Sequence, residues 1–129
     1  MINKLIDQRA DLMKQVNYID KRIKLIKNAK KIVLEYNLIK IISDCSGISI
    51  ELIQSKKRNK DIVNCRRIFA YICYFKIALS LHEIGDVVNK TTRSVYQARD
   101  TYQDFYLQDV EFRQLADKCL NEFNRIDVK

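Results

Sequence analysis

Six cations fall within the twelve residues from Lys56 to Arg67, in the order Lys56, Lys57, Arg58, Lys60, Arg66 and Arg67, against one acid, Asp61. Ammonium and guanidinium groups at that density have one ordinary chemistry, the neutralisation of phosphate oxygens. Farther along, Lys90, Thr91, Thr92, Arg93, Ser94 and Gln97 gather hydrogen-bonding side chains at the start of one helix-like stretch. Such groups suit base edges or phosphates. Each cluster has a plainer reading alone: a charge run is a solvated loop, Ser55 caps local backbone, and Thr91 or Thr92 caps a helix. Taken in order, a basic loop, an apolar helix and a second, polar helix start make a nucleic-acid reader the better expectation.

Catalysis finds little material. No carboxylate pair sits in an apolar setting, no nucleophile motif is present, and His82 is the one histidine, which leaves little scope for Ser-His or Cys-His chemistry. His82 reads as a surface residue of a capped turn. Cys45, Cys65, Cys73 and Cys119 are spaced too widely for paired zinc ligands. They are expected to be reduced and mostly buried. No metal, cofactor or catalytic residue is expected, and no Gly-x-x-x-x-Gly-Lys-Ser/Thr loop exists, so ATP-driven chemistry is not expected of this chain.

The elements that position these groups are helices. Proline is absent and glycine occurs only at Gly47 and Gly85, too few breakers for a many-stranded sheet, so the expected class is all-α. Ile2, Leu5, Leu12, Val16, Ile19, Ile23, Ile26 and Val33 take the a and d positions of a heptad interrupted by Arg9 and Lys30. Residues 1–35 therefore predict a long amphipathic helix with one narrow apolar seam. Two readings of that seam stand side by side. It pairs in a coiled coil with a second copy or a partner helix, or it folds back on its own domain with Ile6, Met13 and Leu25 widening the buried face.

Residues 36–129 predict the compact domain. A break at residues 44–49 leads to a short turn capped by Ser49, and Asn59 caps a helix whose Ile62, Val63, Ile68, Phe69, Ile72, Cys73 and run from Phe75 to Ile77 supply most of the core. Ser80 and Glu83 form a capping box for a helix from Leu81 to Val88, and Asn89 with Lys90 make the turn after it. In the next helix Val95, Ala98 and Tyr102 point inward and leave Arg93, Ser94, Gln97 and Thr101 outside. Phe105, Tyr106, Phe112, Leu115, Leu120 and Phe123 predict an amphipathic closing helix.

At these residues the chain resembles the carboxy-terminal DNA-binding domain of DnaA, the bacterial replication initiator family, over about residues 36 to 106. The resemblance is carried by Gly47-Ile48-Ser49 through Leu52, by Ser55-Lys56-Lys57-Arg58 followed by Ile62-Val63 and Arg66, and by Ser80-Leu81-His82-Glu83-Ile84-Gly85. It implies a helix-turn-helix fold related to the tryptophan repressor. It also implies that Arg58 enters the minor groove, where narrow A·T tracts concentrate negative potential, and that Arg66 contacts the DNA backbone. Arg67 replaces a family glutamine and is expected to add a phosphate contact. Where the family has Arg-Asp-His-Thr-Thr-Val, this chain has Lys90-Thr91-Thr92-Arg93-Ser94-Val95, one residue closer to Gly85. A different target sequence is expected, with Arg93 able to bind guanine through two hydrogen bonds.

The net charge of +8 is unevenly spread. Residues 1–45 hold ten Lys or Arg against five acids and residues 46–99 hold ten against four, whereas residues 100–129 hold four against seven. A basic body suits nucleic acid or an anionic surface. No run approaches a membrane span, and the first 25 residues mix charges throughout, unlike a signal peptide. The expectation is a cytoplasmic, non-enzymatic binder of double-stranded DNA, in replication initiation or its control or in transcriptional regulation. The alternative is an interaction protein that docks through its amino-terminal helix.

Overall fold

The computed structural model describes the backbone of residues 2–127 and the side chains of residues 15–126. Helices account for all the regular structure among these residues: α1 (Ile2–Ser46), α2 (Ile50–Ile53), α3 (Lys60–Ile72), α4 (Leu81–Val88), α5 (Thr92–Gln108) and α6 (Val110–Asp127). A π-helical turn, Cys73–Ile77, prolongs α3. The chain divides into two units, Met1–Val33 and Leu34–Lys129. The all-α architecture is as the sequence predicts.

The first unit is helical. Its seam residues Val16, Ile19, Ile23, Ile26 and Val33 are all exposed, by 46% to 64%. Leu25, named for a wider buried face, is 66% exposed. Ile2, Leu5, Ile6, Arg9, Leu12 and Met13 lie outside the residues whose side chains are described.

The second unit begins within α1, which stops at the left-handed Gly47 (φ 75°). There the Gly47 N–H donates to the Ser43 carbonyl at 2.9 Å, the ordinary way to end a helix without a Cβ penalty. Ser49 then caps α2 through the Leu52 N–H. The core is built around α3, whose Cys65, Ile68, Phe69 and Ile72 are almost fully buried. Leu38 and Ile42 of α1, Ile53 of α2, Ile84 and Val88 of α4, Val95 and Tyr102 of α5, and Phe112, Ala116, Cys119 and Phe123 of α6 close on them. Full burial of one such large side chain stabilises by about 1.5–3 kcal/mol. With two fully buried phenylalanines, α6 therefore belongs to the fold's core.

Cap chemistry sets most of the helix starts. Ser80 and Glu83 form the predicted capping box of α4, and Thr91 caps α5 through the Ser94 N–H. Asn89, left-handed at φ 56°, ends α4; asparagine tolerates that conformation better than most residues.

Four expectations are corrected. Asn59 stands at the N-cap of α3, but its side chain makes no capping bond; the position is exposed, where a helix start does not depend on a side-chain cap. Phe75 is 58% exposed, because the π turn rotates it out of the core stripe while Ile77 stays buried. Phe105 and Tyr106 belong to α5, and the closing helix begins only after Asp109, whose carboxylate accepts from the Phe112 N–H at 3.1 Å. Thr101 is half-buried, drawn inward by an arginine of α3. The four cysteines carry free thiols, three buried and Cys45 half-buried.

Candidate nucleic-acid interface

Three elements meet at one cleft: the basic loop after α2, one flank of α3, and the amino-terminal end of α5. The cleft has a volume of about 540 Å³, and its lining holds Arg58, Arg66, Arg67 and Lys90 with no carboxylate. Ser94, Gln97 and Thr101 supply hydroxyl and amide groups on the α5 side. The floor is apolar, from Val63, Ala70, Val88, Val95 and Ala98. Four cations around one opening without an acid repel one another. An anion placed there relieves that repulsion.

The electrostatics carry the mark of that crowding. Burial, and then the positive charges of Arg66, Arg58 and Lys56, hold the Lys90 ammonium below its ordinary range. Burial depresses Arg66 in the same direction, opposed in part by Cys65 and aided to a lesser extent by the nearby Arg58, and burial alone depresses Arg67. The end of α5 adds to the field. α2, α3, α4 and α6 each have an acid in the first turn, whereas α5 has none. Its positive dipole end is left without a carboxylate.

The predicted site residues fall into two groups. Lys56, Lys57, Arg58 and Lys60 are exposed on the loop and the start of α3, and Thr92, Arg93, Ser94 and Gln97 are exposed on α5. Lys60 lies 3.5 Å from the Asp109 carboxylate while keeping most of its side chain in water. Thr91 is exposed but occupied, since its hydroxyl accepts from the Ser94 N–H and donates to the Ser94 Oγ at 3.2 Å.

The second group faces inward. Arg66, read from the sequence as a contact to the DNA backbone, is 7% exposed. Its Nε donates to the Ile53 carbonyl at 2.7 Å and its Nη1 to the Lys57 carbonyl at 2.8 Å. Its Nη2 donates to the Ser55 carbonyl and, at 3.4 Å, to that of Leu52. Arg67, read as a phosphate contact, is 9% exposed and donates to Thr101 Oγ1 and Asn64 Oδ1 at 2.9 and 2.8 Å. Its guanidinium lies 3.7 Å from the Phe105 ring centre, a favourable cation–π placement. Lys90 is half-buried and donates from Nζ to the Ser55 carbonyl at 3.0 Å.

Sequence reasoning missed the groups that tie the loop to the turn between α4 and α5. Gln54 Nε2 donates to the Val87 carbonyl at 2.8 Å, and Asn89 Nδ2 donates to the Gln54 carbonyl at 3.3 Å. Pairs separated by 33 and 35 residues leave no local signal. Gly85 is the one legible hint, for a Cβ there would lie 2.5 Å from the Lys90 carbonyl oxygen. Only glycine lets the turn close so tightly.

Among known proteins, the bacterial DnaA protein helix-turn-helix family matches residues 36–100. A chromosomal replication initiator protein DnaA from Thermosipho africanus is 42% identical over 64 residues. That alignment covers 50% of this chain and 15% of the relative. The matched stretch holds the basic loop, α3, α4 and the start of α5.

Proposed function

Because this chain belongs to the bacterial DnaA helix-turn-helix family, we propose that it binds double-stranded DNA, setting α5 in the major groove and the basic loop at the adjacent minor groove or backbone. The observation that carries the reading is the cleft with four lining cations and no carboxylate, flanked by exposed Lys56, Lys57 and Arg58 on one side and by exposed Thr92, Arg93, Ser94 and Gln97 on the other. Loop cations supply affinity through phosphate neutralisation, and the polar start of α5 supplies base reading. Arg66 and Arg67 support these surfaces from within. The role is in replication initiation or its control, or in transcriptional regulation, and it requires no ATP hydrolysis by this chain. No described helix is long and apolar enough to cross a membrane.

The test is selection from a pool of random duplexes by the purified full chain, followed by affinity measurements over a salt series. An enriched motif with a steep salt dependence is the expected result. A pool that emerges unenriched, or no binding at low salt, would sink the proposal.

The exposed seam of Val16, Ile19, Ile23, Ile26 and Val33 supports an additional role, pairing with a second copy or a partner helix. Paired readers would engage two half-sites at a fixed spacing and gain affinity by effective concentration.

A further inference from the structure

The end of α2 and the basic loop after it are held by their backbone carbonyl oxygens. Five of the six carbonyls from Leu52 to Lys57 accept a side-chain hydrogen bond: Leu52 from Ser55 Oγ and Arg66, Ile53 from Arg66, Gln54 from Asn89, Ser55 from Arg66 and Lys90, and Lys57 from Arg66. Two of these donors, Lys90 and Asn89, stand in the turn that leads into α5, and a return bond runs from Gln54 to the Val87 carbonyl at the end of α4. The loop is thereby fastened to the helix-turn-helix as well as to α3.

We infer that Arg66 and Lys90 are positioning residues that hold the loop at one offset from α5, so that the minor-groove preference of Arg58 and the major-groove preference of Arg93 are read as one composite site. The inference rests on the DNA-binding reading above and adds to it the rule by which the target is recognised. Arg66 has five N–H groups in a planar fork, and it spends four on the carbonyls of Leu52 and Ile53 at the end of α2 and of Ser55 and Lys57 in the loop. A lysine there keeps the charge but cannot reproduce the fork. Lys90 bridges from the other side. It shares the Ser55 carbonyl with Arg66, so loop, α3 and turn converge on a single oxygen atom. Turning the carbonyls inward also removes partial negative charge from the surface that Lys56, Lys57 and Arg58 present to a phosphate.

The experiment is duplex selection with the full-length wild type and the variants R66K, K90M and K90R, alongside thermal melts of each. The wild type should enrich an α5 motif with an A·T-rich flank at one offset. R66K and K90M should keep the motif while the flank preference at that offset drops about tenfold and spreads over neighbouring positions. K90R, which can still donate to the Ser55 carbonyl, should restore it. A general loss of folding would weaken motif and flank together, so a selective loss of the flank is the signature of positioning. If R66K does not fold, K90M against K90R decides alone. Unchanged flanks in R66K and K90M would overturn this inference and leave the DNA-binding reading intact, as would a wild-type motif without any flank preference. No wild-type motif would remove both.

Discussion

Arg93 and Lys57 are both exposed cations, but they stand on different supports. Arg93 projects from the first turn of a helix whose register is fixed by the Thr91 cap, and a guanidinium on so rigid a base can hold two hydrogen bonds to one guanine. Arg93→Ala should therefore lose about 1–3 kcal/mol of discrimination at one base position, read as the affinity difference between the selected duplex and its single-base variants. Lys57 sits exposed on the loop, and the proposed function gives it a phosphate to neutralise. Lys57→Ala should weaken all duplexes alike and reduce the salt slope by about 1, and base-specific loss from this variant would contradict the assignment. The exposed members of the site were legible because a run of cations and polar groups has no apolar role to hide behind. Arg66 and Arg67 were not. Their side-chain type says phosphate as readily as it says buried strut, and the acceptors they meet in the fold, carbonyls between Leu52 and Lys57 and the side chains of Asn64 and Thr101, leave no mark in the residue pattern.

Among the elements, the turn between α4 and α5 carries the tightest constraint. Gly85→Ala would push a methyl group into the Lys90 carbonyl, a backbone atom that cannot rotate aside. The expected cost is about 1–3 kcal/mol, measured as a drop in melting temperature accompanied by weaker DNA binding. Lys90 itself gives the turn a pH response. Its ammonium is held below its ordinary range by burial and by Arg66, Arg58 and Lys56, and a bound phosphate would pull it back up. DNA-bound protein then holds more protons than free protein, so affinity falls as pH rises through the depressed value. An anisotropy titration repeated from about pH 7 to about pH 10 should reveal this loss in the wild type, and K90M should lack that component. The α6 helix answers a different question. It lies beyond the family match at residues 36–100, yet Phe112 and Phe123 are buried to 1% and 0%. Phe123→Ala should cost about 3–5 kcal/mol, a large part of an ordinary domain's stability, and near-native melting would place α6 outside the cooperative unit. Helix identities and caps were readable from Ser49, Ser80, Glu83 and Thr91, because capping is local chemistry. The outward turn of Phe75 was not, since a π turn shifts the helical register without a mark in the residue pattern.

For the molecule as a whole, charge and seam make separate demands. A net charge of +8 favours association with any polyanion, so specificity has to come from geometry, and affinities compared at different salt concentrations would mislead. The seam sets the assembly. Ile19→Glu and Ile23→Glu would place carboxylates on consecutive d and a positions, and each should lower the sedimentation mass of any complex formed through α1 while leaving the carboxy-terminal unit's melt in place. A wild-type protein that sediments as a single chain at all concentrations tested, alone and with DNA, would end the self-pairing idea. The loop that holds Lys56, Lys57 and Arg58 has one more property as part of the whole chain: it is the richest run of trypsin sites in the second unit. A protease must draw several residues of backbone into an extended form, and here that means stripping the carbonyls of Leu52, Ile53, Ser55 and Lys57 from Arg66. Cleavage at Lys56 to Arg58 should then follow the rare opening of the loop rather than its exposure. The first cut at this run thus becomes a clock for how often the free protein loses the shape that reads DNA.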